Sequence, residues 1–270
     1  MGIFSDVLLT VDFDRTLTAP DGTIPERNLE AIRYFMENGG AFTVNSGRSL
    51  PMTECFRNDV PVNVPLLLYN GSAAYDTATG KLVNCKCIDL DPAQVLTDIQ
   101  SHFPEMAVEV QGVDAHYLLQ KNKKWEHYCS NNLCAWKYVD ATSIPAPFLK
   151  FTLYGQFRDI TVSSMYEATE EELAYYAQAI DYVAQHYGDK LEIFRATARI
   201  IDIHTKGVSK IRIARELQAQ LNRSILVCVG DAENDLPMLE GADYAFCPSD
   251  GVVANRFPNV VPVQKVLLQR

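Results

Sequence analysis

The 270-residue chain has no run of 18 or more apolar residues, so no membrane-spanning helix is expected. It has no basic excess either. Lys and Arg number 24 against 34 Asp and Glu, for a formal net charge of −10, which argues against nucleic acid or an anionic membrane surface as a partner. Met1 to Thr10 lacks a charged segment followed by an apolar stretch and reads as the approach to a strand rather than as a secretion signal. There is no G-x-x-x-x-G-K-[ST] string, which excludes a nucleotide-binding loop of that kind. The seven cysteines (55, 85, 87, 129, 134, 228 and 247) are odd in number and scattered. Cys85-Lys86-Cys87 is the close pair, and no second pair stands at zinc-ligand spacing, so reduced thiols in a cytoplasmic protein are expected.

What the chain does have is a hydrophobic content of 47%, enough for a sizeable core in one or two domains. Strand and helix signals alternate at both ends. Val7 to Val11, Ala41 to Val44 and Pro65 to Tyr69 are short apolar runs suited to strands buried on both faces. Leu29, Ile32, Phe35 and Met36 share one helical face. The rhythm returns at Ile200 to Ile203, in an amphipathic helix over 208–221, and in the strand Ile225 to Val229, with short late strands at Tyr244 to Phe246 and Val260-Val261. In between, helices are expected at 92–102, 122–132 and 170–186, with strand-like pieces near 106–120, 148–154 and 190–194. This pattern predicts a doubly wound, mostly parallel, Rossmann-like α/β core with an inserted α+β domain. The core segments are 1–88 and 197–270, and the insert is 89–196.

Four clusters fall at the carboxyl ends of expected parallel strands, the edge where open α/β sheets bind ligands. Asp12 and Asp14, in Asp12-Phe13-Asp14-Arg15-Thr16-Leu17, are two carboxylates close enough to repel unless a cation intervenes. Oxygen ligands of this kind suit magnesium. In Asn45-Ser46-Gly47-Arg48, Ser46 offers a hydroxyl and Gly47 an approachable backbone N–H for an anion. Lys206-Gly207-Val208-Ser209-Lys210 places a lysine at a helix start, against the dipole preference, so an anionic partner is expected. Lys210 is preferred over Lys206 because it lies in the helix's first turn. In Gly230-Asp231-Ala232-Glu233-Asn234-Asp235, Asp231 and Asp235 can converge on one cation. Each cluster alone has an ordinary explanation as a cap or an acidic turn.

Taken in order, D-x-D-x-T-L, S-G-R, the lysine and G-D-x-x-N-D resemble the four motifs of the haloacid dehalogenase superfamily of phosphohydrolases. The insert after the third strand, the string Gly207-Val208-Ser209-Lys210 and the Asn70-Gly71 turn resemble its class IIB, Cof-like phosphatases. The resemblance implies a magnesium-dependent phosphatase for a small phosphorylated metabolite. Asp12 is then the nucleophile and Asp14 the acid/base. Ser46, Gly47, Arg48, Lys210 and Asn234 bind phosphate or substrate. Magnesium is held by Asp12, the Asp14 backbone carbonyl, Asp231 and Asp235. The subgroup usually has Gly where this chain has Arg15, a side chain expected to point to solvent. Two other outcomes stay open at this level: a phosphotransferase or mutase on the same scaffold, and a non-catalytic regulator that binds a phosphorylated ligand.

Overall fold

The computed structural model describes residues 2–121, 123–132, 134–155, 167–255 and 260–263. In chain order the elements are β1 (Val7–Val11), α1 (Glu26–Glu37), β2 (Ala41–Val44), β3 (Leu66–Leu68), β4 (Ala73–Asp76), β5 (Lys81–Val83), α2 (Pro92–His102), β6 (Met106–Gly112), β7 (His116–Leu118) and α3 (Lys123–Asn131). They continue with β8 (Trp136–Tyr138), β9 (Phe148–Gly155), α4 (Glu170–Tyr187), β10 (Leu191–Thr197), β11 (Ile200–Thr205), α5 (Lys210–Gln220), β12 (Ile225–Val229), α6 (Leu236–Glu240), β13 (Tyr244–Pro248) and β14 (Val260–Val263). The chain divides into two compact units. One comprises residues 1–47, 57–84 and 209–270, and the other 48–56 and 85–208.

The first unit is built on a five-stranded sheet in the order β14-β13-β12-β1-β2, parallel throughout. The mixed α/β class with a parallel core sheet is the one the apolar runs imply. Parallel strands need crossover connections, and α1, between β1 and β2, and α6, between β12 and β13, supply two of them. Leu8, Leu226 and Cys228 pack with Ile213, Ala214 and Leu217 of α5 and with Met238 and Leu239 of α6. At about 1.5–3 kcal/mol for each large side chain removed from water, this layer holds the sheet and its helices together. The run at 65–69 departs from the expected third parallel strand. Leu66–Leu68 pairs antiparallel with β4 in a separate three-stranded sheet, and its parallel contact is the single bridge Asn45–Leu67.

The second unit carries a six-stranded sheet in the order β10-β11-β9-β6-β7-β8. Ile200–Thr205, expected in the returning core segment, instead lies antiparallel between β9 and β10 in this sheet. Its alternation is the physical reason. Ile201 and Ile203 join Val108, Val110, Phe151 and Leu153 on a face packed against α2 and α4. The helices at 92–102 and 170–186 match α2 and α4 closely. The expected helix at 122–132 is α3, and residue 122 lies outside the described residues. Thr169 caps α4 with a reciprocal capping box, its Oγ1 accepting from Glu172 N at 3.2 Å while Thr169 N donates to Glu172 at 2.7 Å.

The other face of this sheet is polar and buried, with Glu109, Gln111, Lys150, Thr152, Asp202 and His204 all shielded from solvent. Lys150 Nζ donates to Asp202 Oδ2 at 3.1 Å, and Thr152 Oγ1 donates to Asp202 Oδ1 at 2.9 Å. Burial pushes the His204 imidazole down to about 3; Asp202 opposes the shift and Lys150 adds to it. A histidine held neutral in the fold but free to charge when unfolded contributes stability above the ordinary imidazole pKa, about 6.5. Between pH 6.5 and 3 the unfolded chain binds the extra proton, so that contribution drains away as the pH falls. His204→Gln is therefore expected to flatten the acid limb of the stability–pH curve by a few kcal/mol, roughly. Denaturant titrations of both proteins at pH 4 and pH 7 measure it, and parallel curves would contradict it.

Candidate active site

Three loops leave the same edge of the parallel sheet at one level. Val11 pairs with Val229 on one side and with Val44 on the other. The next residues continue the ladder: Asp12 N donates to Val229 O at 2.9 Å, and Asn45 N donates to Val11 O at 2.9 Å. Asp12, the Asn45–Gly47 loop and the Gly230–Asp235 loop thus start side by side. The fourth contribution comes from α5. Ser209 is its N-cap, accepting from Arg212 N at 3.2 Å, and this puts Lys210 at the first helical position.

Lys210 is buried, with a residue exposure of 2%. Its Nζ lies 2.6 Å from Asp12 Oδ1 and 2.6 Å from Asp235 Oδ1. The anionic partner expected for a lysine at a helix start is therefore a pair of carboxylates. Burial alone would lower the ammonium's pKa, but Asp12 and Asp235 reverse this and hold it above its ordinary value. Asp12 is shifted the other way. Burial pushes its carboxyl well above the usual carboxylate range, Lys210 opposes this, and Asp235, Asp231 and Asp14 push it further. Lys206 sits in the other unit, half-exposed, 3.3 Å from Glu192.

Asp235 is fixed by its second oxygen, which accepts from Asp231 N at 3.0 Å and Ala232 N at 3.1 Å. Carboxylate oxygens of Asp12, Asp231 and Asp235 all lie within 4.8 Å of one another, and all three residues are buried. With every group ionised, three carboxylates beside one ammonium leave two negative charges in a region that solvates them poorly. A divalent cation with a preference for oxygen fits that donor set and that charge. Asp14, half-buried, is not part of this side-chain group.

Thr16 was not singled out as a site residue in the sequence, yet its Oγ1 donates to Asp231 Oδ1 at 2.7 Å and orients that carboxylate. The D-x-D-x-T spacing was the signal for it. Asn70 and Asn45 were also missed. Asn45 Nδ2 donates to the carbonyl of Lys210 at 3.0 Å, tying the β2 loop to the start of α5. Asn234 Nδ2 donates to Asn70 Oδ1 at 3.3 Å. A Cβ on Gly47 would stand 2.7 Å from that same Asn70 oxygen, so the glycine lets the two loops close up. Gly71, at φ 101°, lies so near the Ser209 carbonyl that a Cβ would be 2.2 Å from it. The Asn70-Gly71 turn is thus packed on the N-terminus of α5. Ser46 is buried beside them, its N donating to Leu67 O at 2.9 Å. Arg48 belongs to the second unit, where it donates to Asn132 Oδ1 at 2.9 Å.

Arg15 adopts φ 62° and ψ 0°, in the left-handed region that favours glycine. The conformation of this turn, rather than the chemistry, accounts for the glycine usual at this position. Arg15→Gly is expected to raise stability by about 0.5–1 kcal/mol, relief of strain being partly offset by unfolded-state entropy. Its turnover should stay within about twofold of the parent. Chemical denaturation with a parallel activity assay checks both, and a destabilised variant would show that the Arg15 side chain holds the turn.

The family model for haloacid dehalogenase-like hydrolases matches residues 9–252, nearly the whole chain. The chain belongs to this family. A relative of this hydrolase is 5-amino-6-(5-phospho-D-ribitylamino)uracil phosphatase YitU of Bacillus subtilis (strain 168), 24% identical over 262 residues, spanning 92% of this chain and 90% of the relative. Among solved structures, a haloacid dehalogenase-like hydrolase from B. subtilis superposes with a TM-score of 0.76 at 18% identity, covering 94% of this chain and 93% of that one. A sugar phosphatase of haloacid dehalogenase subclass IIB superposes with a TM-score of 0.70 at 16% identity, covering 90% and 88%. The resemblance read from the four strand-end clusters, to a Cof-like hydrolase of this superfamily, is thereby met. Among the described residues, no helix is long and apolar enough to cross a membrane.

Proposed function

We propose that this haloacid dehalogenase-like phosphatase is a magnesium-dependent hydrolase of small phosphomonoesters, working through an aspartyl-phosphate on Asp12. The observation that carries the reading is the buried Asp12–Lys210–Asp235 bridge at the sheet edge, with Asp231 beside it. Asp12, Asp231 and Asp235 would hold the magnesium, with the Asp14 backbone carbonyl. When bound, magnesium supplies charge neutralisation for a dianionic phosphate meeting an anionic nucleophile.

The chain's own residues do the rest. Lys210 holds the Asp12 carboxylate in one orientation and opposes the burial that favours its protonated form. An Asp12 oxygen attacks phosphorus in line with the ester oxygen. Asp14 donates a proton to the departing alkoxide and then takes one from the water that cleaves the aspartyl-phosphate. The Ser46 hydroxyl, the Gly47 N–H and the Lys210 ammonium stabilise the charge spread over the phosphoryl oxygens. Asn234, held by Asn70, orients the phosphate from the opposite loop. The second unit acts as a cap that recognises the leaving group. Sugar phosphates and related metabolites suit a family whose members include the sugar phosphatase above. Seven free cysteines support a reducing, cytoplasmic setting.

Incubating the purified protein with a panel of phosphomonoesters, with and without magnesium, tests the proposal. Release of inorganic phosphate that requires magnesium is the expected result. Isomerised phosphosugar without free phosphate would replace the hydrolase with a phosphotransferase. No turnover of any ester would leave only a ligand-binding protein and would contradict the reading.

A further inference from the structure

The second unit gathers a set of soft donors that phosphate chemistry does not use. His116 is the first residue of β7, Cys129 lies on α3, and Cys134 stands between α3 and β8. One ring nitrogen and the two sulfurs lie within 4.8 Å of one another, and all three residues are buried. We propose that His116, Cys129 and Cys134 form a zinc-binding site in this unit.

Donor type selects the metal. Two thiols and an imidazole are a poor match for magnesium or calcium, which take oxygen ligands, and a good match for zinc. Spacing fits as well. Zinc–sulfur bonds of about 2.3 Å and zinc–nitrogen bonds of about 2.0 Å place tetrahedral ligand atoms roughly 3.5–3.8 Å apart. The observed cluster needs to tighten by about an ångström or less to reach that spacing. The backbone already favours it. Cys134 N donates to Cys129 O at 2.9 Å, closing the loop at the end of α3 so that both thiols face β7.

A second observation concerns the imidazole. The Ser49 hydroxyl lies 2.6 Å from Nε2, and the Glu109 carboxylate stands against Nδ1, which has no hydrogen-bond partner among the described residues. Trp125 Nε1 and Gln111 Nε2 in turn donate to Glu109, the latter at 3.1 Å. Metal-bound histidines carry such an outer carboxylate or hydroxyl, which fixes the tautomer and ring orientation. One of the two contacts yields to the metal and the other remains as that partner. Two thiolates neutralise a divalent zinc, and the two thiol protons, with any proton on the ring nitrogen that meets the metal, leave to solvent on binding. The bound ion would pin the end of α3 to the sheet. Cys129 and Cys134 do stand at a C-x4-C spacing that zinc ligands use, contrary to the expectation from the sequence, and only the fold brings His116 from another element to them.

The test uses the full-length protein, purified reduced and without chelator from zinc-supplemented medium, with magnesium in excess to occupy oxygen sites. Metal analysis should find about one zinc per chain. Exchange for cobalt should add a thiolate-to-cobalt charge-transfer band. Both signals should vanish in Cys129→Ser/Cys134→Ser, and circular dichroism should show that variant folded. Zinc-free wild-type protein after reconstitution overturns the proposal. So does a Cys129–Cys134 disulfide that forms in the presence of zinc, or zinc retained by the double variant. Because the thiolate-to-cobalt band of the wild type itself reports cysteine ligation, and its absence there overturns the proposal, a variant that fails to fold leaves the test intact.

Discussion

Asp12→Asn is expected to abolish magnesium-dependent hydrolysis of an aryl phosphate, by at least ~10⁴-fold in kcat, while leaving the fold intact. The amide keeps the shape of the carboxylate but is a far weaker nucleophile toward phosphorus. The expectation of an intact fold rests on the electrostatics. Burial and three neighbouring carboxylates hold the Asp12 carboxyl above its ordinary range, so the ionised form is a strained component of the native state. A neutral isostere relieves that repulsion, and Lys210 keeps Asp235 as a partner. Thermal unfolding of the variant should occur at or above the parent temperature. Turnover within tenfold of the parent would remove Asp12 from the role of nucleophile.

Lys210→Ala should lower kcat by about 10²–10³-fold, the size expected when one donor to a developing oxyanion is removed. It should also cost stability, on the order of 3–5 kcal/mol, because it strands Asp12 and Asp235 without their shared cation. Added magnesium should recover part of that stability, since a divalent ion substitutes for the lost charge. Lys206→Ala removes one half-exposed pair with Glu192 and should change neither quantity measurably. Steady-state kinetics and denaturant titrations on the two variants separate these outcomes. Equal damage from both, or greater damage from Lys206→Ala, would overturn the assignment of Lys210.

The strand-end clusters were legible because their chemistry is dense and local. Asp12 with Asp14, and Asp231 with Asp235, are pairs of acids that turns explain one at a time but not together at neighbouring strand ends, and apolar runs announce the strands before them. Lys210 was legible through its conflict with the helix dipole, a conflict the two carboxylates resolve. Thr16, Asn45 and Asn70 were not, because a single hydroxyl or amide has many routine uses in loops. Only the fold shows Thr16 on Asp231 and Asn70 on Asn234. Ile200–Thr205 went to the wrong sheet because alternating isoleucines with Asp202 and His204 describe a half-buried strand wherever it lies. Its partners β9 and β10 decide the matter, and pairing is not written in one strand. Arg48 follows Ser46 and Gly47 in sequence but falls across the division between units, where Asn132 takes its guanidinium.

The proposed mechanism turns on a covalent phosphoryl group on Asp12. Asp14→Asn isolates it, because a nitrophenolate leaves without acid assistance while cleavage of the aspartyl-phosphate still needs a base. This variant, mixed with p-nitrophenyl phosphate and magnesium, is expected to release about one equivalent of nitrophenol and stall. Acid quenching and peptide mass analysis should then place one phosphoryl group on the Val11–Leu17 stretch, at Asp12. A variant that turns over without a burst, or a phosphoryl group on any other residue, would contradict it.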